Sequence, residues 1–482
     1  MPKIAMIGAG SIVFAKTLAM DILATPALGG SELRLMSRTR PKLDRMEAFL
    51  KRVIRENDVS AQVWSTLDRR EALDGADTVI VMIQVGGLDA FQADYEVPLQ
   101  FGVDQCIGDS LGPGGVFRGL RTIPVLVDIL QDMEELCPEA LLLNYANPMA
   151  ACCYALGRRA RRVQFIGLCH GVQTTLDLIS RYVGVPKHQI DFLCAGINHM
   201  AWFLSLVDKR TGEDLYPALR RNIEKPEYYA NEKVRCEVMR QFGYFMTESS
   251  GHLSEYVPWF RSSRRALELY CDEPGFGGEG GAAYKGSRRL AEKYRDVDYL
   301  ESESTRLGAR SVEYGSYILE ARQTNRVFRL NGNVRNDGFI ANLPRGCCVE
   351  VPIFVDRGGV HPVCVGDLPP QCAALAQSNV SVQELVVEAA LTGDPEHIVH
   401  ALALDPLTGA CCTLAEIRQM AARMLEAERE WLPQFAGKEL RPTPTISIPP
   451  DVRRVEVPLD PALVIANRFA ELAERRIRKT EE

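Results

Sequence analysis

The chain has 482 residues, 46% hydrophobic and 25% charged, which is the balance of a soluble globular protein with two or three domains' worth of chain. Its 63 Asp and Glu outnumber its 56 Lys and Arg, and the formal charge of −7 excludes a general electrostatic field for nucleic acid or an anionic membrane. The opening MPKIAMIGAG carries no basic region ahead of a long apolar run, no stretch approaches a membrane span, and the vicinal pairs among the 14 cysteines make no disulfide framework. A cytoplasmic protein with free thiols is expected.

Residues 3–8 (KIAMIG) predict a strand ending in glycine, followed by a helix over about 11–28. Residues 32–37 alternate and predict a second strand, 41–57 a helix and 61–65 a third strand. The apolar run 77–84 (DTVIVMIQ) has the pattern of a parallel strand buried on both faces. The segment 108–115 (GDSLGPGG) is too glycine-rich for a core element and predicts a loop ahead of a helix at about 119–137. Residues 140–145 and 162–168 predict two more buried strands. The alternation predicts an α/β fold whose N-terminal part, residues 1–195, is a Rossmann-like, doubly wound parallel sheet.

Past residue 196 the rhythm changes. Polar helices are expected at 226–242, 286–307 and 311–324, and a β region at 327–355 with an Asn-Asp-Gly turn at 336–338. The Gly-rich 272–283 predicts a mobile loop, and Ala/Glu/Arg-rich helices are expected at 413–430 and 461–479 around a Pro-rich bend. Residues 196–482 are thus expected to form a C-terminal α+β domain carrying substrate, metal and subunit contacts.

Gly8-Ala9-Gly10-Ser11 directly follows the first strand. Gly8 permits a tight turn, Gly10 admits the pyrophosphate of a dinucleotide, and the following helix N-terminus supplies N–H groups. The third glycine of the usual fingerprint is replaced by Val13, so a plain β–α turn is the competing reading. The second strand ends in Ser37 and Arg38, with Arg40 close behind, where an acid for the ribose is customary. That favours a 2′-phosphate, hence NADP⁺ over NAD⁺; solvated arginines, or one stacked on the adenine of NAD⁺, are the alternatives.

Ligands of doubly wound folds bind beyond the carboxyl ends of the strands. Those ends carry Asn147, the pair Cys169 and His170, and, further on, His199. Cys169 and His199 suit Mn²⁺, Fe²⁺, Co²⁺, Ni²⁺ or Zn²⁺, although thirty residues apart they make no local signature, and a buried thiol with a satisfied core histidine is the plainer reading. His170 reads either as an acid or base or as a helix cap.

Taken together, IGAGSIVF (7–14), GDSLGPGGVFRGLRTIP (108–124), CPEALLLNYANPMA (137–150), IGLCHGVQ (166–173), CAGINHMAWF (194–203), GYFMTESSGHLSEYVPWF (243–260) and NVRNDGFIANLPRGCCVEVP (333–352) resemble glycoside hydrolase family 4, and within it the melibiase-type α-galactosidases. The resemblance implies a glycosidase outside two-carboxylate chemistry. A bound NAD(P)⁺ takes a hydride from C3 of the sugar, a base removes the acidified C2 proton beside Mn²⁺, the aglycone leaves, water adds and the hydride returns. It also implies roles: Cys169 and His199 as metal ligands, His170 as general acid, Asn147 as a contact to substrate hydroxyls, and Tyr256 as the base, with Tyr244 and Tyr314 as alternatives. Asp109 is expected to line the nicotinamide pocket or to cap its loop, and Asn147 and Tyr256 have plainer readings as a turn residue and a packed aromatic.

Two residues depart from the resemblance. Gly171 stands where the α-galactosidases usually have Ser, which opens α-glucosides and α-uronides as substrates, and Ser37 replaces the ribose acid. No cluster for a sugar 6-phosphate is evident. The rival readings are a plain dehydrogenase of the lactate/malate type and a non-enzymatic nucleotide-sensing regulator. A small-molecule α-glycoside is the expected partner, and a homodimer or homotetramer the expected assembly.

Overall fold

The computed structural model describes residues 1–11, 14–294, 299–456 and 460–480, with side chains of 473–480 left aside. Its strands, in chain order, are β1 Lys3–Ile7, β2 Glu32–Met36, β3 Gln62–Thr66, β4 Thr78–Val81, β5 Leu141–Asn144, β6 Gln164–Gly167, β7 Ile190–Ile197, β8 Met200–Asp208, β9 Phe245–Met246, β10 Phe328–Arg335, β11 Cys348–Asp356 and β12 Gly359–Pro362. Among the described residues they form one sheet in the order β3-β2-β1-β4-β5-β6-β10-β11-β7-β8-β9, with β12 on β11. β1 to β6 pair parallel throughout, and their order is that of the Rossmann-type doubly wound sheet. The C-terminal α+β part continues the same sheet with antiparallel strands, β10 joining β6 at Asn333 opposite Gly167.

Burial explains why the first half was readable. β4 (TVIV) and β5 (LLLN) are buried at every position, and covered parallel strands are apolar without alternation. The strand order reverses between β1 and β4, so a crevice opens past their carboxyl ends. There Gly8 has φ +96°, and a Cβ on it would lie 2.6 Å from the Met82 carbonyl oxygen, so only glycine fits.

Some boundaries differ from the sequence reading. The first helix, described from Phe14, ends at Leu23, and Pro26 opens a separate 3₁₀ turn, Pro26–Leu28. Residues 295–298, inside the predicted 286–307 helix, lie outside the described residues; the flanks are Ala282–Lys293 and Tyr299–Ser302. The reading of 108–115 as a non-core loop is corrected. Gly112–Leu136 is one helix, with Pro113 in its first turn and Gly112, Gly114 and Gly115 buried. The glycines are there for close approach: a Cβ on Gly114 would lie 2.4 Å from the Gly108 carbonyl oxygen, and one on Gly115 2.4 Å from the Ser110 carbonyl carbon.

This helix is tied to its surroundings by Arg121. Its guanidinium is fully buried, 2.5 Å from Asp94 and 2.6 Å from Glu428, and donates to the Val85 carbonyl at 3.0 Å. Helices Pro370–Thr392 and Glu396–Leu404, absent from the sequence reading, also pack on it. The compact unit spans Met1–Leu440. Residues 441–482 are a second unit whose regular element is the helix Pro461–Thr480. Among the described residues no helix is long and apolar enough to cross a membrane.

Candidate active site

β6 delivers Cys169 to the sheet's carboxyl edge, just before the helix Gly171–Val183. β7 and β8 form a hairpin whose Ile197 pairs with Met200, so Asn198 and His199 are its two-residue turn. His199 sits there at φ +62°, and Glu248, two residues past β9, at φ +79°. Left-handed backbone costs a side-chain-bearing residue about 1–2 kcal/mol and marks positions held for function. Both distortions serve one cluster. Cys169 Sγ lies 3.3 Å from His199 Nε2, and His199 Nε2 lies 3.3 Å from Glu248 Oε2. The donor atoms of all three lie within 4.8 Å of one another.

The charges around this cluster suit a cation. Burial holds His199 down to about 4, so its ring is a neutral donor at neutral pH. Burial, then the Glu248 and Glu350 carboxylates, push the Cys169 thiol well above its ordinary value. Burial also disfavours charge on Glu248, yet His199 and His252 hold it well below the usual carboxylate range. Glu350, buried on β11, is pushed up to about 8 by burial and by Glu248. A thiol kept protonated beside carboxylates releases its proton when a divalent cation arrives. A soft thiolate, an imidazole and a hard carboxylate together suit the first-row divalent ions, Mn²⁺ to Zn²⁺, better than Mg²⁺ or Ca²⁺, which take oxygen ligands.

The second ring nitrogen of His199 is also engaged: Nδ1 lies 3.0 Å from the Tyr256 hydroxyl. Such partners fix the orientation of metal-binding histidines. Tyr256 is 2% exposed, and burial, then Asp109, push its phenol well above its ordinary value. The structure therefore gives Tyr256 an orienting position on the far side of the imidazole from Cys169 and Glu248. Of the alternatives for the base, Tyr244 packs edge-on against Tyr216 and Tyr314 against Phe328.

Asn147 and Asp109 are brought together, with Asn147 Nδ2 donating to Asp109 Oδ2 at 2.8 Å. Asp109 also accepts from the Ser110 hydroxyl at 2.7 Å and lies 3.8 Å from both Arg118 and His252. None of these partners comes from the 8–11 turn. The Asp109 loop is anchored by buried Glu255, which accepts the Ile107 N–H at 2.5 Å and the Gly108 N–H at 3.0 Å. His170 is not drawn into the cluster. Its side chain is 56% exposed with Nδ1 3.6 Å from Glu313, and as N-cap it makes no side-chain bond.

At the dinucleotide crevice, the Gly8 and Ala9 N–H groups donate to the Met36 carbonyl (2.9 and 3.0 Å), and the Ser11 N–H to the Gly8 carbonyl (3.3 Å). A Cβ on Gly10 would sit 3.0 Å from Ser37 Oγ, so these two residues share the crevice wall. Arg38 is exposed at its mouth. Ile12 and Val13 lie outside the described residues. With no side chain on Gly8 or Gly10, the backbone there is open to close approach by a dinucleotide phosphate.

Sequence reasoning missed Glu248, His252 and Glu255. All lie in TESSGHLSEY (247–256), whose Glu-x-x-x-His spacing was available, but they follow a two-residue strand that no periodicity reveals.

A doubly wound dinucleotide-type sheet with a thiol–imidazole–carboxylate cluster at its carboxyl edge defines an α/β enzyme class joining a nucleotide crevice to a metal-type site. The Family 4 glycosyl hydrolase profile matches residues 3–185, and that of the Family 4 glycosyl hydrolase C-terminal domain residues 194–408. The chain is 41% identical over 444 residues to an alpha-galactosidase of Rhizobium meliloti (strain 1021), covering 90% of each protein. It is 40% identical over 448 residues to an alpha-galactosidase of Bacillus subtilis (strain 168), covering 90% of this chain and all of the relative. A crystallised 6-phospho-alpha-glucosidase from gut microorganisms, in complex with NAD and Mn²⁺, shares the fold at a TM-score of 0.73 and 21% identity, over 89% of this chain and 98% of that one. The chain belongs to family 4 of the glycosyl hydrolases, and is an enzyme of the α-glycosidase kind.

Proposed function

We propose that the chain hydrolyses a non-phosphorylated α-glycoside, an α-galactoside foremost, using NAD(P)⁺ and a divalent metal such as Mn²⁺. The observation that carries this is the convergence of Cys169, His199 and Glu248 at the edge of a sheet whose neighbouring crevice is shaped for a dinucleotide. Identity of about 40% to alpha-galactosidases supports the choice of sugar.

Cys169, His199 and Glu248 would hold the metal, and Gly8, Gly10 and Ser11 the dinucleotide phosphates. Ser37 and Arg38 favour NADP⁺. Bound, the dinucleotide supplies reversible hydride transfer and the metal Lewis-acid polarisation of the sugar oxygens. Asn147, pinned by Asp109, offers its amide to the sugar hydroxyls. His170 stands at the solvent edge, placed to meet a leaving aglycone, with its Nδ1 3.6 Å from Glu313. Tyr256 fixes the His199 ring; accepting the C2 proton, the role the resemblance implies, requires it to leave that bond.

Gly171 bears on specificity: a Cβ there would meet Glu248 Oε2 at 3.1 Å, so the Ser usual in the α-galactosidases would crowd the cluster. An α-glucoside or α-uronide is therefore the second reading. A panel of nitrophenyl α- and β-glycosides and uronides, assayed with Mn²⁺, a thiol reductant and each dinucleotide, decides between them. Release from the α-galactoside is expected, without net cofactor reduction. Accumulating NAD(P)H with no sugar release would establish the dehydrogenase instead.

A further inference from the structure

His252 lies in the one-turn helix Ser250–Leu253, its side chain 6% exposed, at the centre of the site. Its ring stands edge-on to His199 at 4.5 Å and to Tyr256 at 5.3 Å. Nδ1 faces Glu248 Oε1 at 3.9 Å. Nε2 is buried, lies 3.8 Å from Asp109 Oδ1 and has no hydrogen-bond partner. Native interiors rarely leave such an atom unpaired, and one inside a candidate site calls for a functional partner or a water. The surrounding groups are already engaged: Asp109 with Asn147 and Ser110, and Tyr256 with His199.

We infer that His252 Nε2 is a sugar-binding group, sharing one hydroxyl of the bound hexopyranoside with Asp109. A hydroxyl both donates and accepts. Set to one side of the line from Nε2 to Oδ1, it accepts from the imidazole N–H and donates to the carboxylate, since a point about 2.8 Å from both atoms exists when they stand 3.8 Å apart. The ligand is a hydroxyl-bearing face of the sugar beside Asp109, whose other carboxylate oxygen holds Asn147. Glu255 supports the pair from behind, since it ties the Asp109 loop to the segment carrying His252.

This inference rests on the proposed glycosidase reading, and one experiment separates the two. Galactose binding is measured by calorimetry on the NAD⁺- and Mn²⁺-loaded wild type, His252→Ala and His252→Gln. Mn²⁺ affinity, and turnover of nitrophenyl α-galactoside, are measured on the same proteins. Loss of a buried polar contact predicts that His252→Ala weakens galactose binding about 10- to 100-fold, well beyond the loss of Mn²⁺ affinity that follows from removing a neighbour of Glu248. His252→Gln, whose amide reaches the same region, is expected to recover part of the loss. Unchanged galactose affinity in His252→Ala, in a wild type that turns over the galactoside, overturns the inference alone. Mn²⁺ affinity falling in step with turnover also overturns it, by making His252 a support of the metal ligands. A wild type that neither binds galactose nor cleaves any glycoside overturns both readings.

Discussion

Cys169, His199 and Glu248 come from three separate segments, and the chemistry proposed here requires that they act together. Replacing Cys169 with Ser removes the soft donor while keeping the shape of the side chain. Mn²⁺ binding and turnover should both nearly vanish while circular dichroism and thermal melting stay at wild-type values; near-normal activity would break the metal assignment. Tyr256→Phe separates two roles. If the hydroxyl orients His199, Mn²⁺ affinity falls roughly 10- to 100-fold. If the phenol instead accepts the C2 proton, metal affinity holds while exchange of the sugar's C2 hydrogen with solvent deuterium stops. The pH dependence of metal binding has a fixed sign. Burial and two carboxylates keep the Cys169 proton on, well above the ordinary thiol range. Each cation bound therefore displaces a proton, and affinity rises about tenfold per pH unit through neutrality and is lost as pH falls. Calorimetry in buffers of different ionisation enthalpy reads that proton directly; a flat profile would mean the thiol stays out of the metal's coordination.

At the scale of elements, the helix Gly112–Leu136 connects the core to the site. Its first turn presses on the Asp109 loop so closely that Gly115→Ala puts a methyl 2.4 Å from the Ser110 carbonyl carbon. Such crowding costs about 1–3 kcal/mol. The variant should melt earlier and show a raised KM, because Asp109 and its partner Asn147 shift together. Further along, Arg121→Met leaves Asp94 and Glu428 buried without their cation, a loss of about 3–5 kcal/mol in unfolding free energy by denaturant titration. The sequence missed this helix's true start because glycine-rich segments ordinarily read as loops, whereas here the glycines permit close packing. It missed Pro370–Thr392 for a related reason: buried on several faces, that helix is rich in Ala and Val and carries Asn379 and Gln383 inside, which blurs the polar stripe of Gln377, Ser381, Glu384 and Glu388. The hairpin turn that places His199 was visible only as an apolar stretch followed by Asn-His.

Across the whole molecule, legibility followed burial. Strands β1, β4 and β5 were apparent because strands covered on both faces are apolar at nearly every position, and β2 because it alternates; the carboxyl edge of this sheet located Cys169, His170 and Asn147. The antiparallel continuation was only partly apparent, since its strands bury polar residues such as Asn331, Asn333 and Glu350 and its register depends on long-range pairing such as Glu350 opposite Gly196. Glu248, His252 and Glu255 escaped because folding, not local pattern, delivers them to the sheet edge. What unites the molecule is one sheet whose carboxyl edge carries both the glycine turn after β1 and the Cys169, His199 and Glu248 cluster, an arrangement the proposed chemistry uses to loosen a hydrogen beside a sugar carbon. The most direct test is hydrolysis of nitrophenyl α-galactoside in D₂O with Mn²⁺ and NAD(P)⁺, followed by mass spectrometry and NMR of the released sugar. The account predicts deuterium at C2, strict dependence on both metal and dinucleotide, and no build-up of reduced cofactor. Galactose released without deuterium at C2, at an undiminished rate after chelation and removal of the dinucleotide, would contradict it.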